Sequence, residues 1–130
     1  MATLTHLDTH VVAWIAGGHH DRLSPAAVAA IEHDTLRVSP LVPLELQYLV
    51  ETGRLELDPD ETMAELRRSL DLREAAESFG SVVDTAVGLI WTRDPFDRLI
   101  AAQAITADAR LLTKDDHLLD HVDGAFWDAP

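Results

Sequence analysis

The chain contains no cysteine. Disulfides and thiolate metal sites are therefore excluded, and a reducing compartment such as the cytoplasm fits. No apolar run approaches the roughly 20 residues of a membrane span. The opening MATLTHLD lacks the basic and apolar segments of a secretory signal. Positive charge is also scarce: 10 lysines and arginines stand against 23 aspartates and glutamates, a net charge of -13. That balance argues against a protein that grips nucleic acid by a broad basic surface. It permits a carboxylate-rich metal site or a partner carrying basic residues.

What is present describes one ordinary globular domain over residues 1–130, with 47% hydrophobic and 25% charged residues. Much of the acidic excess lies between Glu56 and Glu77 and reads as solvated helix faces. Short β-rich runs at 3–7, 36–39 and 110–113, with a further candidate at 125–127, alternate with helical stretches. The helices are expected at 9–16, 25–34, 40–52, 59–70, 78–90 and 95–108, with a short one in DDHLLDHV and a loop at HHDR. Strands separated by helices predict an α/β layer fold with a parallel sheet.

The most informative stretch is RDPFDRLIAAQA, Arg93 to Ala104. Asp94 followed by Pro95 is a helix start, and the helix beyond is apolar nearly all the way round. Asp97 shares a stripe with Ile100, Ala101 and Ala104, so its carboxylate faces packed protein or a cleft. Asp8 is the first residue past the first strand, and Asp115 lies just past another. Glu45 interrupts an apolar arc holding Leu41, Leu44, Tyr48 and Leu49. In open α/β sheets, ligands bind beyond the carboxyl ends of the strands, where Asp8 and Asp115 would emerge together.

Each acid has a structural alternative. Asp8 could cap the helix at Thr9, and Asp94 reads mainly as a cap. Asp97 could support its own helix N-terminus. Asp115 or Asp116 could open the last short helix, and Glu45 could pair with Arg98. Four acids from four segments, each where a plain surface charge would not sit, together favour a metal site. Carboxylates select hard cations such as Mg²⁺ or Mn²⁺, which suit phosphodiester hydrolysis. His6 and His10 flank Asp8, and His117 and His121 are one helical turn apart, yet no third ligand completes a zinc pattern. Trp14, Trp91 and Trp127 read as packing rather than base-stacking residues.

Four blocks in this order, LDTHVVAW, SPLVPLELQYLVETGRL, RDPFDRLIAAQA and LLTKDDHLL, make the sequence resemble the PIN-domain ribonucleases, in particular the VapC-type toxins of toxin–antitoxin pairs. The resemblance implies a three-layer α/β/α sandwich and places the family's metal-binding, catalytic acids at Asp8, Glu45, Asp97 and Asp115. Thr9 and Thr113 fall where the family often has hydroxyls beside the metal. Asp94 and Asp116 are neighbours with no fixed part. It further implies a homodimer, an RNA substrate, dependence on Mg²⁺ or Mn²⁺, and a cognate antitoxin whose basic or apolar tail lies near the acidic cleft. RNA binding then needs the metal plus local cations, for which Arg93, Arg98 and Lys114 are nearest by sequence.

Three other classes compete. A haloacid-dehalogenase-type phosphatase wants a second aspartate at position 10, which is histidine. A response-regulator receiver needs a phospho-accepting aspartate after a middle strand, and none is placed there. A non-catalytic acidic binding module remains compatible with the composition.

Overall fold

The computed structural model describes residues 2–128. Strands β1 (Leu4–Leu7), β2 (Thr35–Val38), β3 (Arg73–Glu74), β4 (Arg110–Leu112) and β5 (Ala125–Phe126) form one sheet in the order β3-β2-β1-β4-β5. All four pairings are parallel. Helices α1 (Thr9–Ala16), α2 (Pro25–His33), α3 (Leu41–Glu51), α4 (Pro59–Leu70), α5 (Phe79–Val87), α6 (Pro95–Thr106) and α7 (Asp116–His121) connect them.

The sheet lies inside because its central strands are apolar on both faces. Leu7, Leu36, Val38, Leu111 and Leu112 are all buried, as a parallel sheet covered by helices requires. Helix α6 buries five residues in a row, Ile100 to Ala104, since its small side chains admit close neighbours all round. Val82 and Ala86 of α5 pack against Ala102 to form a satellite core.

Helix starts follow the sequence signals. Ser24, Asp58 and Asp94 each accept hydrogen bonds from first-turn N–H groups, and each is followed by proline. The acidic run from Glu56 to Glu77 is solvated, as expected.

Several boundaries differ. HHDR contains a 3-10 turn at His20–Arg22 rather than plain loop, and α6 ends at Thr106. Strand β3 was not expected: its two residues are both exposed, so they carry no hydrophobic alternation. Leu44 and Tyr48 do not belong to a buried stripe. They are 56% and 44% exposed, and α3 buries Val42 and Leu46 instead.

Strand order reverses at β1, which has β2 on one side and β4 on the other. The crevice at that switch point opens at the carboxyl edge of the sheet, beyond Leu7 and Leu112.

Candidate active site

Asp8 stands at the switch point. Its backbone N–H donates to the Leu112 carbonyl at 3.0 Å, which ties the end of β1 to the end of β4. Its Oδ1 accepts the Thr9 N–H at 2.8 Å, and its Oδ2 accepts the Thr113 hydroxyl at 2.7 Å. The Thr113 Oγ1 in turn accepts the Asp115 N–H at 3.0 Å. One hydroxyl thus fixes two of the expected acids relative to each other. Asp115 also caps α7, accepting from the Leu118 N–H. Asp8 and Asp115 are thus each a helix cap at the carboxyl edge of the sheet.

Asp97 and Glu45 come from α6 and α3, and both are half-buried. Burial pushes Asp97 up to about 7, and repulsion from Asp94, Asp8, Asp115 and Glu45, in that order, adds to the rise. Burial likewise raises Glu45. The Thr9 hydroxyl opposes that rise, and the charges of Asp8 and Asp94 add to it. Thr9 Oγ1 is itself buried without a partner of full hydrogen-bond geometry. Asp97 therefore lies within electrostatic reach of the other three acids. Among the described residues, none of the four forms an ion pair with lysine or arginine.

Asp94 caps α6 through the Phe96 and Asp97 N–H groups and is a fifth contributor to the field. Asp116 lies exposed in the first turn of α7 and is not among the charges acting on Asp97 or Glu45.

Two expectations change. Arg98 neither pairs with Glu45 nor faces solvent as a free cation. Its guanidinium donates to the carbonyls of Ala86 at 2.7 Å, Val87 at 3.0 Å and Thr92 at 3.3 Å, closing the end of α5. His10, read from sequence only as a neighbour of Asp8, is part of the site's frame. Its Nε2 accepts the Lys114 N–H at 2.9 Å, which assigns the proton to Nδ1, 3.4 Å from Asp8 Oδ2. The two-residue spacing from Asp8, at the start of a helix, was the available signal. The partner 104 positions away was not legible. Arg93 and Lys114 are exposed beside the crevice.

Among the described residues, no three carboxylate or imidazole groups stand close enough to enclose one ion. The donor chemistry nevertheless fits a hard divalent cation. Mg²⁺ usually takes one or two carboxylates directly and keeps several waters, through which the remaining acids act. A half-buried aspartate that holds a proton near neutrality for want of a counter-charge belongs to the same picture.

A PIN domain profile matches residues 6–125. The chain belongs to the PIN domain family. It is 40% identical over 125 residues to Ribonuclease VapC22 of Mycobacterium tuberculosis, covering 92% of both chains. Among solved structures this PIN domain is similar to VapBC2 from Rickettsia felis bound to a DNA fragment from their promoter. That match has a TM-score of 0.68 at 19% identity and covers 97% of this chain and 100% of the other. PAE2754 from Pyrobaculum aerophilum matches with a TM-score of 0.59 at 22% identity, over 97% of this chain and 91% of that one. These likenesses show the α/β sandwich fold.

Proposed function

We propose that the chain is a Mg²⁺- or Mn²⁺-dependent endoribonuclease, the toxin of a toxin–antitoxin pair, that hydrolyses RNA phosphodiester bonds at the crevice beyond β1 and β4. One observation carries the reading: carboxylates from four segments gather at the sheet's switch point around Asp97, which feels the charge of the other three, and among the described residues no lysine or arginine pairs with them. The 40% identical relative, named a ribonuclease, supports it.

Asp8, Glu45, Asp97 and Asp115 would hold the cation. When bound, it supplies a Lewis acid that lowers the pKa of water and offsets charge on the phosphate oxygens. The chain's own residues do the rest. Thr113 ties the Asp8 carboxylate to the Asp115 backbone. His10 stands 3.4 Å from the same Asp8 oxygen. Asp97, whose carboxyl is pushed up to about 7 in the metal-free protein, would be held ionised beside a bound cation, so cation binding would release protons. Lys114 and Arg93, exposed at the rim, are placed to meet the RNA phosphates. A cognate antitoxin would cover this crevice, and Leu44 and Tyr48, left exposed on α3, offer apolar surface near it.

The test is cleavage of single-stranded RNA by purified protein in Mg²⁺, Mn²⁺ or EDTA, beside Asp97→Asn. We expect turnover with either metal, none in EDTA, and a loss of at least 100-fold in the variant, in line with removing a group that acts electrostatically at the reacting centre. Equal products in all arms would reject the reading in favour of a non-catalytic acidic module.

A further inference from the structure

The ten lysines and arginines are few enough to follow one by one. Arg68 and Arg73 pair with Glu65 and Asp71. Arg98 is held by three carbonyls, Arg37 donates to the Leu36 carbonyl, and Arg110 lies 3.6 Å from the centre of the Phe126 ring. Among the described residues, Arg22, Arg54, Arg67, Arg93 and Lys114 have no anionic partner.

Three of these five line two adjoining depressions. The main body, about 470 Å³, lies between α1, the 3-10 turn and the segment joining α3 to α4, and it includes Arg22 and Arg54. His10 and Trp14 are common to that body and to a notch of about 300 Å³ that holds Lys114 and Asp115. The groove therefore runs from the acidic crevice, over an imidazole and an indole, to two guanidinium groups. Arg22 is kept at its wall, 5.8 Å from the Trp14 ring centre. Glu56 is the acid in the main body's lining.

We propose that this groove carries the single-stranded RNA flanking the bond that is cut, with Arg22 and Arg54 on its phosphates and apolar surface around Trp14 under its bases. The inference rests on the ribonuclease reading above. Charge favours a polyanion: Arg22, Arg54 and Lys114 have no anionic partner among the described residues, so phosphates can meet them without displacing an existing ion pair. Most of the remaining lining, with Trp14, Leu49, Leu55 and Leu57, is apolar, His19 and Thr62 being its polar members. It gains contact from unstacked bases and none from a duplex, whose bases are turned inward. The shared His10 and Trp14 favour the substrate over a protein segment, because strand leaving Asp115 and Lys114 passes over that imidazole and indole before it meets Arg22 and Arg54.

The test uses Asp97→Asn protein in Mg²⁺ and a fluorescent single-stranded RNA, with and without the pair Arg22→Ala and Arg54→Ala. A charge-matched control carries Arg67→Ala and Arg73→Ala, which line a separate hollow with Met63, Ala64 and Leu72. We expect the groove pair to weaken binding about tenfold and to lower the slope of log affinity against log salt by about 1–1.5, as loss of two phosphate contacts requires. The control should change neither beyond the general charge effect. In the Asp97-bearing protein the same pair should raise KM with kcat retained. Equal affinity and slope in pair and control overturn the groove assignment, even where wild-type protein cleaves RNA normally. Failure of wild-type protein to cleave, with the binding difference intact, overturns the catalytic reading alone. Retained RNA binding with loss of binding to the antitoxin would assign the groove to a protein segment and reject the proposal.

Discussion

Asp97 and His6 set opposite pH slopes on the stability of the metal-free protein. Asp97 moves from an ordinary value of 3.8 to about 7 on folding, so across that interval the folded chain binds more protons and stability falls as pH rises. His6 moves the other way, from 6.5 to about 4. It is buried in the central strand with both ring nitrogens unpartnered, and desolvation is the main cause. Across its interval the unfolded chain binds more protons, and stability rises with pH. The two nearly cancel in wild-type protein. Asp97→Asn removes the falling limb and exposes the rising one. In EDTA we expect the variant to gain stability between about pH 5 and 7, ending about 1–2 kcal/mol above wild type after allowance for solvent screening. Saturating Mg²⁺ should steepen the wild-type profile in the same sense. Denaturant melts across this range check it, and parallel profiles for variant and wild type would contradict the assignment.

Helix α5 depends on a residue of α6 for its ending. Its last carbonyls, at Ala86 and Val87, are met by the Arg98 guanidinium, which also reaches Thr92 and so fixes the loop leading to Asp94. Arg98→Ala leaves those acceptors to water or to nothing, and we expect a loss of about 1–3 kcal/mol in chemical denaturation. Arg98→Lys should recover only part of it, because an ammonium lacks the planar fork. RNA affinity and its salt slope should stay unchanged, and a clear fall in the slope would return Arg98 to the substrate-binding set. Elements differed in how plainly they could be read. Cap-and-proline pairs at Ser24, Asp58 and Asp94 mark helix starts locally, and the buried strands β1, β2 and β4 announce themselves by apolar content. Two-residue β3 has neither cue, being exposed and held only by its pairing to β2. The acids were legible because carboxylates at strand ends and in apolar arcs are chemically conspicuous. Arg98, His10 and the Arg22–Arg54 groove were not, because their roles depend on partners from other elements that chain order does not reveal.

At the scale of the molecule, apolar surface is left open where charge is low. Val87 and Ile90, at and just beyond the end of α5, are 67% and 79% exposed, and Phe79 at its start is open as well. A homodimer covering this face would remove those side chains from water. Each protomer brings a charge of -13, so association works against strong mutual repulsion. We therefore expect light scattering to give about twice the 14.3 kDa chain mass at moderate salt and a shift toward monomer as salt is withdrawn. Ile90→Asp should give monomer throughout. A wild-type chain that stays monomeric at high salt would count against the dimer.

The aspartate just past β1 supports the fold through both of its carboxylate oxygens. It starts α1, fastens β4 through Thr113 and faces His10. Replacing it removes supports from three places at once, so a silent protein obtained that way would also be a poorly folded one. Asp97 carries no such duty, its own backbone N–H being capped by Asp94. A lineage losing activity by chance mutation could discard Asp97 and keep an intact fold, whereas losing Asp8 would forfeit the fold too.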